Sequence, residues 1–92
     1  MPGSTTSNFH YTYVLRSLKD GQKYMGYTSD LFKRIKEHNT GRVFSTSFRR
    51  PCQLIYYEAC LSEEDAKRRE TYLKTTGGRR FLAKRLRIYL FR

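Results

Sequence analysis

The chain has 92 residues, 38% of them hydrophobic, enough for one domain with a single modest core. Its 19 lysines and arginines stand against 8 acidic residues, and the resulting net charge of +11 favours a polyanionic partner, nucleic acid first. No apolar run is long enough to span a bilayer and no signal peptide is read, so the expectation is a cytoplasmic protein with no membrane partner.

Residues 1–8, MPGSTTSN, are small and polar and read as a disordered lead-in to one domain over 9–92. From Phe9 to Arg16, Tyr11, Tyr13 and Leu15 alternate with Thr12, Val14 and Arg16, the period of a strand. Tyr13 thereby shares a face with Phe9, Tyr11 and Leu15, where it packs in the sheet with its hydroxyl bonded at the rim. Asp20-Gly21 supplies a hairpin turn, and Lys23 to Thr28 is the second strand. Gly26 weakens that strand unless another group approaches it closely. A helix starts at Thr28-Ser29-Asp30, with good capping side chains, and stops at Gly41. Its inward stripe is Leu31, Arg34, Ile35 and His38. Arg34 alone reads as a snorkelling side chain, and His38 alone as a helix-end residue suited to the dipole. Together, opposite a hairpin carrying several tyrosines, they suggest a cleft.

Arg42 to Pro51 reads as a loop in which Arg42, Arg49 and Arg50 are mixed with Phe44 and Phe48. Those residues suit phosphate contact and base stacking, and equally a loop pinned to the core by its phenylalanines. Gln53 to Ala59 is the third strand, with Leu54 and Tyr56 on one face and Ile55 and Tyr57 on the other. Apolar residues on both faces predict a central strand. Cys52 and Cys60 bracket it, too far apart to bridge and without ligand-spaced partners, and are read as free thiols. Ser62 to Asp65 opens a helix that runs to about Thr75, with Ala66, Arg69 or Glu70, and Leu73 inward. A glutamate beside a buried face needs a cation, a metal or a proton, and spacing alone favours an ion pair with a nearby arginine. Thr76-Gly77-Gly78 reads as the helix break, followed by a last helix over Arg79–Arg92. Phe81 or Leu82, Leu86, Tyr89 and Leu90 face inward there. Arg79, Arg80 and Lys84 face outward and, with Lys74 and the loop arginines, offer phosphate contacts. The order β-β-α-β-α-α predicts an α+β fold, a three-stranded antiparallel sheet flanked by about three helices.

The succession Tyr13, Tyr24-Met25-Gly26, Asp30-Leu31, Arg34 and His38-Asn39 resembles the GIY-YIG endonuclease superfamily. More narrowly, it resembles small standalone bacterial members related to the nuclease domain of the excision-repair incision subunit. The first signature triplet corresponds to Tyr11-Thr12-Tyr13, which keeps the final tyrosine. The second is Tyr24-Met25-Gly26, with methionine for isoleucine. The likeness continues through Arg50-Pro51, Leu54 to Glu58, Ala66 to Glu70 and Leu73-Lys74. Many relatives carry a site-supporting asparagine near positions 83–85, where this chain has Ala83-Lys84-Arg85.

The resemblance implies a metal-dependent DNA endonuclease of repair or recombination in the bacterial cytosol, associated with the nucleoid. Its partner would be double-stranded DNA, branched forms included, cut with structure-directed or weak sequence preference and with a protein partner adding specificity. A nucleic-acid-binding module of the same fold that cuts weakly or not at all is the alternative. In the implied site, Glu70 is the single carboxylate ligand of Mg²⁺ or Mn²⁺, and Arg34 clamps the scissile phosphate. Tyr13 is the general base or orients the attacking water, its phenolate favoured by nearby cations. Tyr24 bonds the nucleophile or phosphate, and His38 touches phosphate or shares the proton transfer.

Overall fold

The fold is an antiparallel three-stranded sheet ordered β2-β1-β3, built from β1 (His10–Ser17), β2 (Lys23–Thr28) and β3 (Cys52–Cys60). It was described in a computed structural model that covers residues 8–91, so all but the last residue of the expected lead-in lies outside the described residues. Among the described residues, five helical segments accompany the sheet: α1 (Leu31–Asn39), α2 (Phe44–Ser47), α3 (Glu63–Leu73), α4 (Thr76–Arg85) and α5 (Arg87–Phe91). The α+β class and the order of the main elements are those the sequence predicts. No described helix is long and apolar enough to cross a membrane.

The central strand is β1, and β3 lies at an edge, contrary to the expectation from its two apolar faces. Helices cover both faces of the sheet, so even an edge strand is apolar on both sides. On one face Tyr13 and Leu15 pack with Leu31 and Cys52, joined by Tyr11, Tyr24, Ile35 and Leu54. On the other, Val14 and Met25 pack with Leu73 and Leu82. Tyr13, Val14 and Leu15 expose no surface at all.

The facing of β3 also needs correction. The β1–β3 register shifts between Val14 and Leu15, so Val14 lies opposite Tyr56 while Leu15 lies opposite Leu54. Ile55 is the extra residue of a bulge. Alternation therefore fails: Leu54 joins the Tyr13 cluster, and both Ile55 and Tyr56 pack against the Val14 cluster.

Caps set the helix starts. The Asp30 carboxylate accepts from the Lys33 amide at 3.2 Å, and Ser62 Oγ accepts from the Asp65 amide at 3.2 Å. Residues 42–51 are not all loop, since Phe44–Ser47 makes one helical turn. The expected break at Thr76-Gly77-Gly78 is instead the first turn of α4. Thr75 is its cap, with Oγ1 accepting from the Gly78 amide at 3.1 Å. The single last helix expected over Arg79–Arg92 is two, α4 and α5, separated at Leu86.

Arg69 bolts β3, α3 and α4 together. Its Nε and Nη2 donate to the Glu58 carboxylate at 2.9 and 2.7 Å, and its Cζ lies 4.9 Å from the Tyr72 ring centroid and 5.0 Å from that of Phe81.

The two glycines at the start of α4 have opposite constraints. A Cβ at Gly77 would meet only ordinary contacts, the nearest at 3.7 Å. One at Gly78 would stand 2.5 Å from Leu73 Cα and press on the Tyr72 carbonyl, so α3 and α4 touch backbone to backbone there. Gly77→Ala should accordingly stabilise the protein by about 0.5–1 kcal/mol through helix propensity. Gly78→Ala should destabilise it by about 1–3 kcal/mol or more through overpacking. Urea titrations of the two variants beside wild type check this, and equal effects would contradict the packing described.

Candidate active site

The central strand brings Tyr13 to the point where β1, β2 and α1 meet. Its Cα partner on β2 is Gly26, and the phenol ring lies across the space that a side chain there would take. A Cβ at Gly26 would stand 2.5 Å from Tyr13 Cζ. This is the close approach that a strand glycine calls for.

Above that glycine the Tyr13 hydroxyl meets His38 Nε2 at 2.8 Å, and His38 Nδ1 meets Thr46 Oγ1 at 2.7 Å. Tyr13, His38 and Thr46 are all fully buried. The Arg34 guanidinium is also in electrostatic reach of the phenol oxygen. A buried phenol proton must find an acceptor, and the one facing it is His38 Nε2. That assigns the proton of the neutral imidazole to Nδ1, from where it is donated to Thr46. The result is a directed chain from Tyr13 to His38 to Thr46, linking β1, α1 and α2.

Tyr24 packs against the same pair, its ring centroid 4.9 Å from that of His38 and 6.3 Å from that of Tyr13. The structure thus groups Tyr13, Tyr24, Arg34 and His38. Glu70, on α3, lies within electrostatic reach of Tyr13. The charges already have partners: Arg34 Nη1 is 3.1 Å from Glu37 Oε1, and Glu70 Oε2 is 2.9 Å from Lys74 Nζ. The cation beside Glu70 is a lysine one turn along α3, rather than the arginine that spacing suggested.

Electrostatics follow burial. Desolvation lifts the Tyr13 hydroxyl to about 12, and the lowering effect of Arg34 does not overcome it. The expectation that neighbouring cations would favour the phenolate is reversed in the free protein, because removing the oxygen from water outweighs the guanidinium. Burial, together with the Arg34 charge, pushes His38 down to about 4. The interaction with Tyr13 raises Arg34, keeping it cationic.

The other basic residues do not form one stripe. Arg42, Arg49 and Arg50 surround α2. Arg50 reaches over Gly41 and donates from Nε to the Ser47 carbonyl at 2.9 Å. Lys74 is the partner of Glu70. Arg79 lines a cavity of about 330 Å³ with Lys23, Met25 and Phe91, while Arg80 and Lys84 line a separate depression with Tyr72. Thr46 and Glu37 were not anticipated. Glu37 was readable as the i+3 neighbour of Arg34, but nothing in the Ser-Thr-Ser run marks Thr46 as buried.

A family model described as the GIY-YIG catalytic domain matches residues 9–86. The chain belongs to the GIY-YIG family. That domain is a nuclease fold, so the grouped tyrosines, arginine and histidine sit on a nuclease scaffold. Among bacterial relatives, a UPF0213 protein of Staphylococcus saprophyticus is 43% identical over 67 residues, 72% of this chain and 80% of its own. The UPF0213 protein YazA of Bacillus subtilis is 42% identical over 69 residues, 74% of this chain and 69% of its own. A solution NMR structure of a UPF0213 protein from Bacillus halodurans matches at a TM-score of 0.51 and 37% identity, covering 83% of each chain.

The buried imidazole of this GIY-YIG domain makes stability depend on pH. With its folded value near 4 and the ordinary value at 6.5, His38 binds more proton when unfolded between those limits. Its contribution is therefore complete above about pH 6.5 and is lost as pH falls towards 4. The urea midpoint of wild type should drop between pH 6.5 and 5, and His38→Gln should show a smaller drop over the same interval. A wild-type midpoint flat across that interval would rule out a neutral buried His38.

Proposed function

We propose that the chain is a divalent-metal-dependent DNA endonuclease that hydrolyses phosphodiester bonds. The observation that carries this reading is the meeting of Tyr13, Tyr24, Arg34 and His38 at one point of a GIY-YIG fold, with Glu70 in electrostatic reach. Net charge supplies the attraction to DNA.

In this reading Arg34 exchanges Glu37 for the scissile phosphate and neutralises charge that builds on its oxygens. Tyr13 orients the attacking water. As its oxygen takes the water proton, its own proton passes to His38 Nε2, so no free phenolate has to exist at a site where the hydroxyl lies near 12. The arriving phosphate raises the proton affinity of His38 by offsetting the Arg34 charge that depresses it. Thr46 holds the ring orientation throughout. Tyr24 bonds the nucleophile or the phosphate.

Glu70 fits one Mg²⁺ or Mn²⁺. It is a single hard carboxylate, and among the described residues no group of three or more His, Cys, Asp or Glu forms a cage. Magnesium suits such a site because it keeps several waters and shares its remaining positions with phosphate. Glu70 would hold the ion, which would supply Lewis-acid stabilisation of the leaving oxygen. Binding requires Lys74 to release Glu70, whereupon its ammonium is free for DNA. Structure-directed cutting in repair or recombination, with a partner supplying specificity, fits a domain with few surfaces for base readout.

Cleavage of a branched and a linear duplex with Mg²⁺, Mn²⁺ or chelator tests the proposal. Wild type should cut only with metal, and Glu70→Ala should not cut. Arg34→Ala should cut about a hundredfold more slowly or worse. Both variants should keep salt-sensitive DNA binding. Binding without any cutting, equal in wild type and Glu70→Ala, would instead establish a binding module.

A further inference from the structure

The short helix α2 and its C-cap carry two of the most exposed phenylalanines among the described residues. Phe44 is 82% exposed and Phe48 75%, so neither pins this segment to the core. The buried residue of the turn is Thr46, the acceptor for His38, which leaves the two rings outside on the structure that anchors the candidate site. They touch edge-on, with centroids 6.1 Å apart and planes at 87°, and so present faces in two directions.

The surroundings are cationic. Arg42 precedes the turn and Arg50 folds back onto Ser47, while Lys19 Nζ donates to the Phe48 carbonyl at 3.3 Å. Two phenylalanine rings bury roughly 150–250 Å² each when covered, well below the about 800 Å² per side of a stable protein interface. Solvent-facing aromatic planes set among lysine and arginine match a different occupant, in which bases stack on the rings and phosphates meet the cations.

We infer that Phe44 and Phe48 form a stacking platform for unpaired DNA bases, directing the neighbouring site to strands with a single-stranded stretch. Paired bases keep both faces covered by their neighbours and cannot use such a platform. The inference rests on the nuclease reading only for the position of the cut; the binding itself does not.

Its test is made in chelator, so that no cleavage enters. Binding of a thymidine dodecamer and of a matched duplex is measured by fluorescence anisotropy for wild type and three variants: Phe44→Leu, Phe48→Leu and, as a control, Phe32→Leu. Phe32 is an equally exposed ring at the other end of α1. Leucine keeps apolar bulk and removes the stacking face. The dodecamer should bind at least about fivefold more weakly to each α2 variant, with duplex affinity unchanged and Phe32→Leu like wild type. Equal loss for both DNAs, no loss, or no dodecamer binding by wild type would each overturn the platform. Failure of the nuclease reading shows separately, as absence of metal-dependent cutting.

Discussion

The hydrogen bond between Tyr13 and His38 organises this molecule. Both side chains are fully buried, and neither could remain so without the other. A phenol proton with no acceptor in the interior costs about 1–3 kcal/mol, and an imidazole there must stay neutral and be bonded at both nitrogens. His38 meets that condition only because Thr46 receives its other nitrogen. One chain of polar contacts thus fixes the central strand, the first helix and the turn after it. It also explains why the inward stripe of α1 is not simply apolar.

Around this chain, the charges of the candidate site are internally matched. Glu37 holds Arg34, and Lys74 holds Glu70. Each pair is partly exposed and worth little, typically below about 1 kcal/mol. Such contacts keep the free site compact without locking it. A polyanion carrying a divalent ion can displace both partners together, whereas a small monovalent anion can displace only one. Under the proposed function, discrimination for a phosphodiester backbone with metal would be built from weak pairs that exchange partners.

Much of the fold is legible in the sequence, because its signals are local. The alternation of β1, the turn at Asp20-Gly21 and the caps at Asp30 and Ser62 depend on neighbours a few residues away. The need for a close neighbour at Gly26 was legible too, though not that Tyr13 would be it. What was not legible depends on distant residues. The bulge at Ile55 arises from pairing with β1, and no pattern within β3 announces it. The edge position of β3 is hidden because helices cover both faces. The Gly77-Gly78 pair reads as a break by propensity, but the contact of Gly78 with α3 overrides it. At the site, spacing pointed to Arg34 and His38 opposite the hairpin tyrosines, and the family resemblance to Tyr13, Tyr24 and Glu70. The sign of the Tyr13 shift depends on how completely the ring is enclosed, which spacing does not reveal.

The ring of Tyr13 lying over Gly26 also governs which substitutions this site can accept. Most core positions tolerate gradual change, a methyl more or less, with neighbours adjusting. Position 26 offers no such gradation, since even the smallest side chain would enter the space of the phenol. An alanine there would have to coincide with a smaller residue at 13 or with a displaced β2 strand. Positions 13 and 26 are therefore one steric unit across two strands. Exposed positions such as Phe32, Phe44 and Phe48 carry no such coupling, and side chains there can be exchanged one at a time.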